Sequence, residues 1–349
     1  MKNSQPIAII GMGGIFPDAS NPKKLWENIL KRRDSSREVP PGRWAIPPEK
    51  AYDPKPGAID RVYTTRGCFI DETGVHVDLT GLHISPDFLN RLDPLFRLLL
   101  MAGKQAFDDA RIKGEDHRNT GVILGNLVLP TDSLSAIAEE TLFRTFEETL
   151  LSESQTPFCK TDPLNIHVAG LPAGILSKAL GLGGDSFTLD AACASSLYAM
   201  KLAVDELSSG RADTMLCGGV SRPSCLYTQM GFSQLRAISP SGRSAPFDAD
   251  ADGLVVGEGA GIFVLKRLSD ALMENCNIYA VIRGIGLSND MGGRLLAPTS
   301  EGQLRAMGTA YEAAGWHPHD VDLIECHATG TSVGDAVEFE SLKRLWEGA

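Results

Sequence analysis

Short apolar runs, several closed by glycine, alternate along the chain with longer segments whose apolar positions recur at helical spacing. Residues 7–11 read IAIIG, fully apolar and rich in β-branched side chains. Such a run predicts a strand buried on both faces at the centre of a parallel sheet. Comparable runs predict strands at residues 121–124, 186–189, 213–217, 259–268, 279–284 and 321–326. Helices are predicted over residues 22–32, with Asn21 as N-cap, and over 93–110, where a capping Asp precedes a Pro at the first helical position. Further helices are predicted over residues 133–151, 165–180, 193–208, 301–314 and 334–346. Gly170 and Gly174 in the 165–180 segment predict close packing against a neighbour. Residues 39–56 hold six prolines and predict an ordered surface excursion without regular structure. Strands alternating with helices define an α/β fold with helices on both sheet faces.

Two echoes run through this pattern. IAIIGMGG near the start resembles YAVIRGIGLSND at residues 279–290, and GVILGN resembles DLIECHATG. A duplicated fold would produce such pairs, although any two buried strands look alike. With 349 residues the chain is long enough for one large domain or two fused halves. Its net charge of −11 argues against a dedicated nucleic-acid binder, which needs a concentrated basic face. The apolar run over residues 7–16 is interrupted by Gly11, Gly13 and Gly14 and lacks a cleavage site, so it reads as a strand, not a signal peptide. Nothing approaches the ~18 apolar residues of a membrane span. The cysteines Cys68, Cys159, Cys193, Cys217, Cys225, Cys276 and Cys326 include no C-x-x-C pair, and their odd number and irregular spacing fit a reducing, cytoplasmic compartment.

Chemistry concentrates in two places. Residues 187–196 read FTLDAACASS: a strand, small residues, a cysteine, then a helix. The positive end of a helix stabilises a thiolate, small neighbours admit a ligand, and free backbone N–H groups can bind an oxyanion. The competing reading of Cys193 is a cysteine packed between helix and sheet. Residues 325–335 read ECHATGTSVGD and place His327 just past a predicted strand, with Thr329 and Thr331 on a glycine turn. An imidazole there can move a proton or stabilise an enolate; it can also be satisfied by nearby backbone. Other signals fail on their spacing. Asp248, Asp250, Asp252 and Gly253 open like a calcium loop, but its twelfth position is Gly259. The dinucleotide fingerprint at Gly11 and Gly13 would need a glycine where Phe16 stands. His317 and His319 flank a surface proline and are expected to be solvated, so no metal is expected.

Together DAACASS and HATGTSVGDAVE resemble the β-ketoacyl synthase family of condensing enzymes in fatty-acid and polyketide biosynthesis. Between them SPSGRSAPFDADADGLVVGEGAG, residues 239–261, is similar to that family's glycine-rich stretch, and IAIIGMGGIFPDASNPKKLWENI to the polyketide-type opening. The resemblance implies a thiolase-like α/β fold of two similar halves in five layers. Residues 1–265 would form the half with the nucleophile, and residues 266–349 the beginning of an incomplete second half. It further implies that Cys193 carries the acyl chain and His327 stabilises the enolate of a decarboxylating malonyl thioester. Thr329 and Thr331 would bind the phosphopantetheine arm of an acyl carrier protein, with Glu338 and Asp335 as structural support. The substrates would be acyl and malonyl thioesters, the assembly a homodimer, and no cofactor would be bound by the domain itself.

The family also has a second histidine in a K-x-x-x-G-H-type motif and a later Gly-Phe-Gly turn that completes an oxyanion hole. No histidine follows His327 here, and Lys343 falls inside a predicted helix. Glu338 matches a glutamate that pairs with the lysine of that motif. The chain as written is therefore expected to stop inside its second half, to leave sheet edges and apolar faces uncovered, and to be poorly soluble or inactive in condensation alone. The rival readings are a non-condensing partner subunit of the chain-length-factor type, an acyl-transferring thiolase relative and a Cys–His hydrolase. Cys193 speaks against the first.

Overall fold

A computed structural model describes residues 5–44, 46–71, 76–112, 114, 117–151, 161–222, 226–292 and 297–348. Eight strands are present among them: β1 Ile7–Ile15, β2 Arg37–Glu38, β3 Arg66–Gly67, β4 Thr120–Gly125, β5 Ser186–Leu189, β6 Thr214–Ser221, β7 Gly259–Arg267 and β8 Ala280–Ile282. The first helices are α1 Pro22–Leu30, α2 Pro48–Ala51, α3 Pro86–Arg91, α4 Pro94–Ala110, α5 Asp132–Ala138 and α6 Arg144–Leu151. After them come α7 Pro172–Leu180, α8 Ser195–Ser208, α9 Leu226–Gln234, α10 Leu268–Met273, α11 Ser300–Ala314 and α12 Ser332–Glu347.

The main sheet has the order β5-β4-β6-β7-β1-β8. β5, β4 and β6 are parallel, whereas β7 is antiparallel to β6 and to β1, and β1 is antiparallel to β8. β1 is thus an interior strand as expected, but its neighbours run antiparallel, so the all-parallel sheet is corrected to a mixed one. The apolar run could not distinguish the two, because burial on both faces yields the same sequence in either pairing. β1 also carries an extra residue between Ile9 and Gly11, where its register with β7 shifts.

Successive strand residues serve opposite faces. Val122 and Leu124 of β4 and Leu216 of β6 join one core with Leu99 and Phe96 of α4 and Leu176 of α7. Ile123 of β4 and Met215 and Cys217 of β6 join a second core with Ala199, Ala203 and Leu207 of α8. The sheet is therefore sandwiched between α8 and the α4–α7 pair. The proline-rich excursion is corrected from having no regular structure, since it contains α2, whose first residue is a proline suited to N1; its Val39, Trp44 and Ala51 are buried in a small core with Val62 and Phe69.

The capping signals hold: Asn21 and Asp93 accept from Lys24 and Leu95 N–H at the starts of α1 and α4. Two expectations are corrected. The 165–180 segment opens as a 3₁₀ turn at Pro163–His167, and its α-helix begins at Pro172, which suits N1 and cannot continue a helix. Among the described residues a Cβ at Gly170 or Gly174 would meet nothing within 4 Å; the close approach is at Gly103 of α4, over which Leu176 lies. Residues 321–326 form no strand. Among the described residues no strand lies alongside them, and Leu323 is 84% exposed.

Candidate active site

β4, β5 and β6 point their carboxyl ends the same way, and the turn that carries Cys193 leaves the end of β5. Residues 190–194 connect β5 to α8, whose first helical residue is Ser195. Cys193 stands one residue ahead of the N-cap Ala194, two residues earlier than the helix predicted to start with it. The delay follows from Ala192, which adopts a left-handed φ of 51°. Asp190 accepts from Ala192 N–H (2.8 Å) and, across the gap, from Val128 N–H (2.9 Å). The Ser195 hydroxyl accepts from Ala191 N–H (2.8 Å) and donates to the Ala192 carbonyl (2.6 Å). Gly125 at the end of β4 lets the turn come this close: a Cβ there would sit 2.6 Å from the Ser195 backbone.

The histidine loop is built on α12. Glu338 accepts from the N–H of His327 (2.6 Å) and of Ala328 (2.9 Å), the latter again a left-handed alanine at φ 50°. The buried Asp335 accepts from Gly330 N–H (3.0 Å) and from Phe247 N–H (2.7 Å). Gly253 N–H donates to the Gly330 carbonyl (2.9 Å). The glycine-rich stretch therefore clasps the histidine loop from the other side. Thr331 is the N-cap of α12, accepting from Gly334 N–H, and its hydroxyl lies 2.9 Å from that of Thr329. Both threonine hydroxyls thus already take part in holding the turn. Glu258 in the same stretch is a packing element: it is buried, ion-paired with Arg43, and accepts from Ile70 N–H (2.9 Å).

The two motifs, 134 positions apart, meet side chain to side chain. The His327 imidazole holds the Cys193 thiol below its ordinary range, against the opposing effect of desolvation. The same contact raises the His327 imidazole above its ordinary value. Among the groups around the thiol the imidazole is the leading cause. Burial pushes the thiols of Cys68, Cys217 and Cys326 up instead, which makes them poor nucleophiles. Cys159 and Cys225 lie outside the described residues. Cys193 and His327 are both exposed to an incoming ligand.

Of the five amides in the Cys193 turn, those of Ala191, Ala192, Ala194 and Ser195 donate within it. Those four amides, which the sequence offers with that of Cys193 as oxyanion donors, are thus already engaged within the turn. Sequence reasoning also missed the Asp190 carboxylate, although it lay inside the quoted motif. An Asp two residues before a small residue is a recognisable turn signal. Among the described residues no group of three or more His, Cys, Asp or Glu side chains could hold a metal ion. No described helix is long and apolar enough to cross a membrane. A cavity of about 750 Å³ opens at the opposite end of the parallel strands, beside Thr120 and Thr214 at the starts of β4 and β6.

With the pair and its scaffold in view, known proteins place the chain. The β-ketoacyl synthase N-terminal domain model matches residues 4–271 and the C-terminal domain model residues 279–349. This chain belongs to the β-ketoacyl synthase family. It is 35% identical over 99% of its length to the PKS-NRPS hybrid synthetase ATPKS of Aspergillus niger, covering 18% of that protein. It is 34% identical over 97% of its length to a phenolphthiocerol/phthiocerol polyketide synthase protein of Mycobacterium tuberculosis, again covering 18%. Among solved structures, the PfaC keto synthase-chain length factor matches with a TM-score of 0.90 at 38% identity, over 99% of this chain and 38% of that one. The ketosynthase from module 6 of the bacillaene synthase of Bacillus subtilis matches at 0.80 and 30% identity, over 98% and 55%. The chain thus spans about a fifth of the first of these curated relatives and at most 55% of these solved chains. The thiolase-like fold expected from the motifs is the fold of these ketosynthases.

Proposed function

We propose that this chain supplies the acyl-capturing site of a decarboxylative Claisen condensation of the polyketide type. The observation that carries the reading is the pairing of Cys193 with His327, in which the imidazole lowers the thiol and the thiol raises the imidazole. In the first step the Cys193 thiolate attacks the carbonyl of an acyl thioester. The bond to the carrier sulfur breaks, and the departing thiolate takes a proton from the imidazolium. In the second, a malonyl thioester loses CO2, its enolate carbon attacks the acyl-Cys193 carbonyl, and the Cys193 thiolate is released. His327 supports the enolate oxygen, and the Cys193 amide the acyl oxyanion. Thr329 and Thr331 face the pantetheine arm, and Glu338 and Asp335 hold the histidine loop in place. No cofactor enters these steps beyond the carrier's own phosphopantetheine.

An acyl carrier protein is the partner in this reading, acting in the cytoplasm. A homodimer is supported by β5, which forms one edge of the sheet and exposes Phe187, with Leu197 exposed close by on α8. The division at residues 1–265 and 266–349 is supported by two family models that separate between 271 and 279. A partner subunit of the chain-length-factor type has no need of a lowered thiol.

Mixing the protein with an acyl N-acetylcysteamine thioester and digesting it tests this by mass spectrometry. The peptide containing Cys193 should gain the acyl mass, and Cys193→Ala should abolish the gain. Adding malonyl thioester to the protein in its full length should then release CO2 and the lengthened product. In that full-length protein, acylation with no CO2 release would replace condensation by simple acyl transfer, and absence of acylation would refute the reading altogether.

A further inference from the structure

Ala192 immediately precedes Cys193 and holds a left-handed conformation that is strained for an L-residue. Glycine would adopt it freely, yet alanine stands here, and both of its peptide groups are gripped by side chains. Its N–H is bound by Asp190 and its carbonyl by the Ser195 hydroxyl. Asp190 is itself anchored through its second oxygen to Val128 N–H, on the chain leaving β4. Ser195 is buried and anchored by Ala191 N–H. The grip therefore refers the left-handed residue to two fixed points, the end of β4 and the start of α8. The direction of the Cys193 side chain follows from the dihedral angles of the residue before it.

We propose that Asp190 and Ser195 are positioning residues that clamp Ala192 in its left-handed conformation and so hold the Cys193 sulfur against His327. The proposal rests on the reading of Cys193 as the nucleophile. It assigns Asp190 a role opposite in sign to its charge. A carboxylate near a thiolate disfavours the thiolate by repulsion, so through-space electrostatics alone would make its removal speed up thiol chemistry. A clamp makes its removal slow that chemistry.

The test is the rate of iodoacetamide alkylation at Cys193 as a function of pH, read by mass spectrometry of its peptide in the whole chain. Asp190→Asn should slow alkylation at pH 7 by about tenfold, the scale of losing a hydrogen bond to a charged acceptor, and move the profile towards that of an ordinary thiol. Adding Ala192→Gly to Asp190→Asn should restore the rate to within about twofold of the original, because glycine takes the conformation unaided. An unchanged or faster rate in Asp190→Asn, or a loss that Ala192→Gly does not restore, overturns the clamp while leaving Cys193 as the nucleophile. If Asp190→Asn does not fold, Ser195→Ala with and without Ala192→Gly reads the same grip from the carbonyl side, with the same two outcomes. A starting protein whose Cys193 reacts like a free thiol overturns both the clamp and the reading on which it rests.

Discussion

β1 and the chain around β8 meet their helices in one way and their sheet in two. Gly11 and Gly13 lie on the Ala102–Ala106–Ala110 face of α4, so tightly that a Cβ at Gly13 would be 2.0 Å from the Ala102 carbonyl oxygen. Gly284 and Gly286 lie in the same manner on Ala306, Ala310 and Ala314 of α11, with a Cβ at Gly286 falling 1.8 Å from the Ala306 oxygen. In both places glycines two apart meet alanines four apart. That is the strand period facing the helix repeat, and it turns the faint echo between IAIIGMGG and YAVIRGIGLSND into a shared contact. The settings differ. β1 has nine residues, eight paired with β7 and three of these also with β8, whereas β8 has three and among the described residues pairs with β1 alone. Gly302 is the one fully buried residue of α11, while nine of α4 are buried. A strand–helix contact is thus written locally, but its rigidity comes from what lies on the other sides.

That contrast gives the largest expected effect. Gly13→Ala should destabilise the fold by about 3 kcal/mol, since neither backbone can yield inside a paired sheet. Gly286→Ala, with an equal clash on paper, should cost about 1 kcal/mol, because the thinly covered α11 can move away. Urea unfolding of both variants decides it, and equal losses would mean that the second contact is as rigid as the first.

The next effect concerns the residues that bridge the two regions. The Cys193 thiol is lowered by His327, so its thiolate is present above that lowered value and is lost as the pH falls through it. Removing the imidazole returns the thiol to the ordinary range near ~8.5, leaving a few per cent of thiolate at neutral pH. His327→Ala should therefore slow alkylation of Cys193 at pH 7 by about tenfold and shift its midpoint upward. A pH profile unchanged in this variant would assign the lowered thiol to the helix terminus, and the two halves would not be chemically coupled.

The smallest effect tests residues 321–326 against β6. Leu216 of β6 is fully buried in the sheet. Leu323 is mostly exposed, so Leu323→Ala should change stability by less than about 0.5 kcal/mol. A loss of a kilocalorie or more at Leu323 would show that an unseen neighbour covers it in solution.

Much of the molecule was legible in the sequence for reasons that are local. Asn21 and Asp93 announce α1 and α4 because a side-chain acceptor satisfies backbone donors within three residues. The buried strands announce themselves because both their faces must be apolar, and Cys193 and His327 stand out within motifs whose small residues leave room for a ligand. Residues 321–326 read as a strand for the same reason as β4, since an apolar run records a tendency to be buried and not the presence of a partner. The pairing direction of β1 was likewise invisible, because parallel and antiparallel neighbours demand the same side chains.

Tertiary structure alone decided which groups act on one another. It set an imidazole from a distant loop against the Cys193 sulfur. It spent four of the turn's amides on Asp190, Ser195 and the turn's own carbonyls. It turned Glu338 and Asp335 into the frame of the histidine loop. The sequence determines the residues with chemistry and the elements that carry them, because those depend on near neighbours along the chain. Their alignment depends on hydrogen bonds between segments far apart in sequence, such as Asp335 to Phe247 and Gly253 to Gly330, which exist only once the chain has folded.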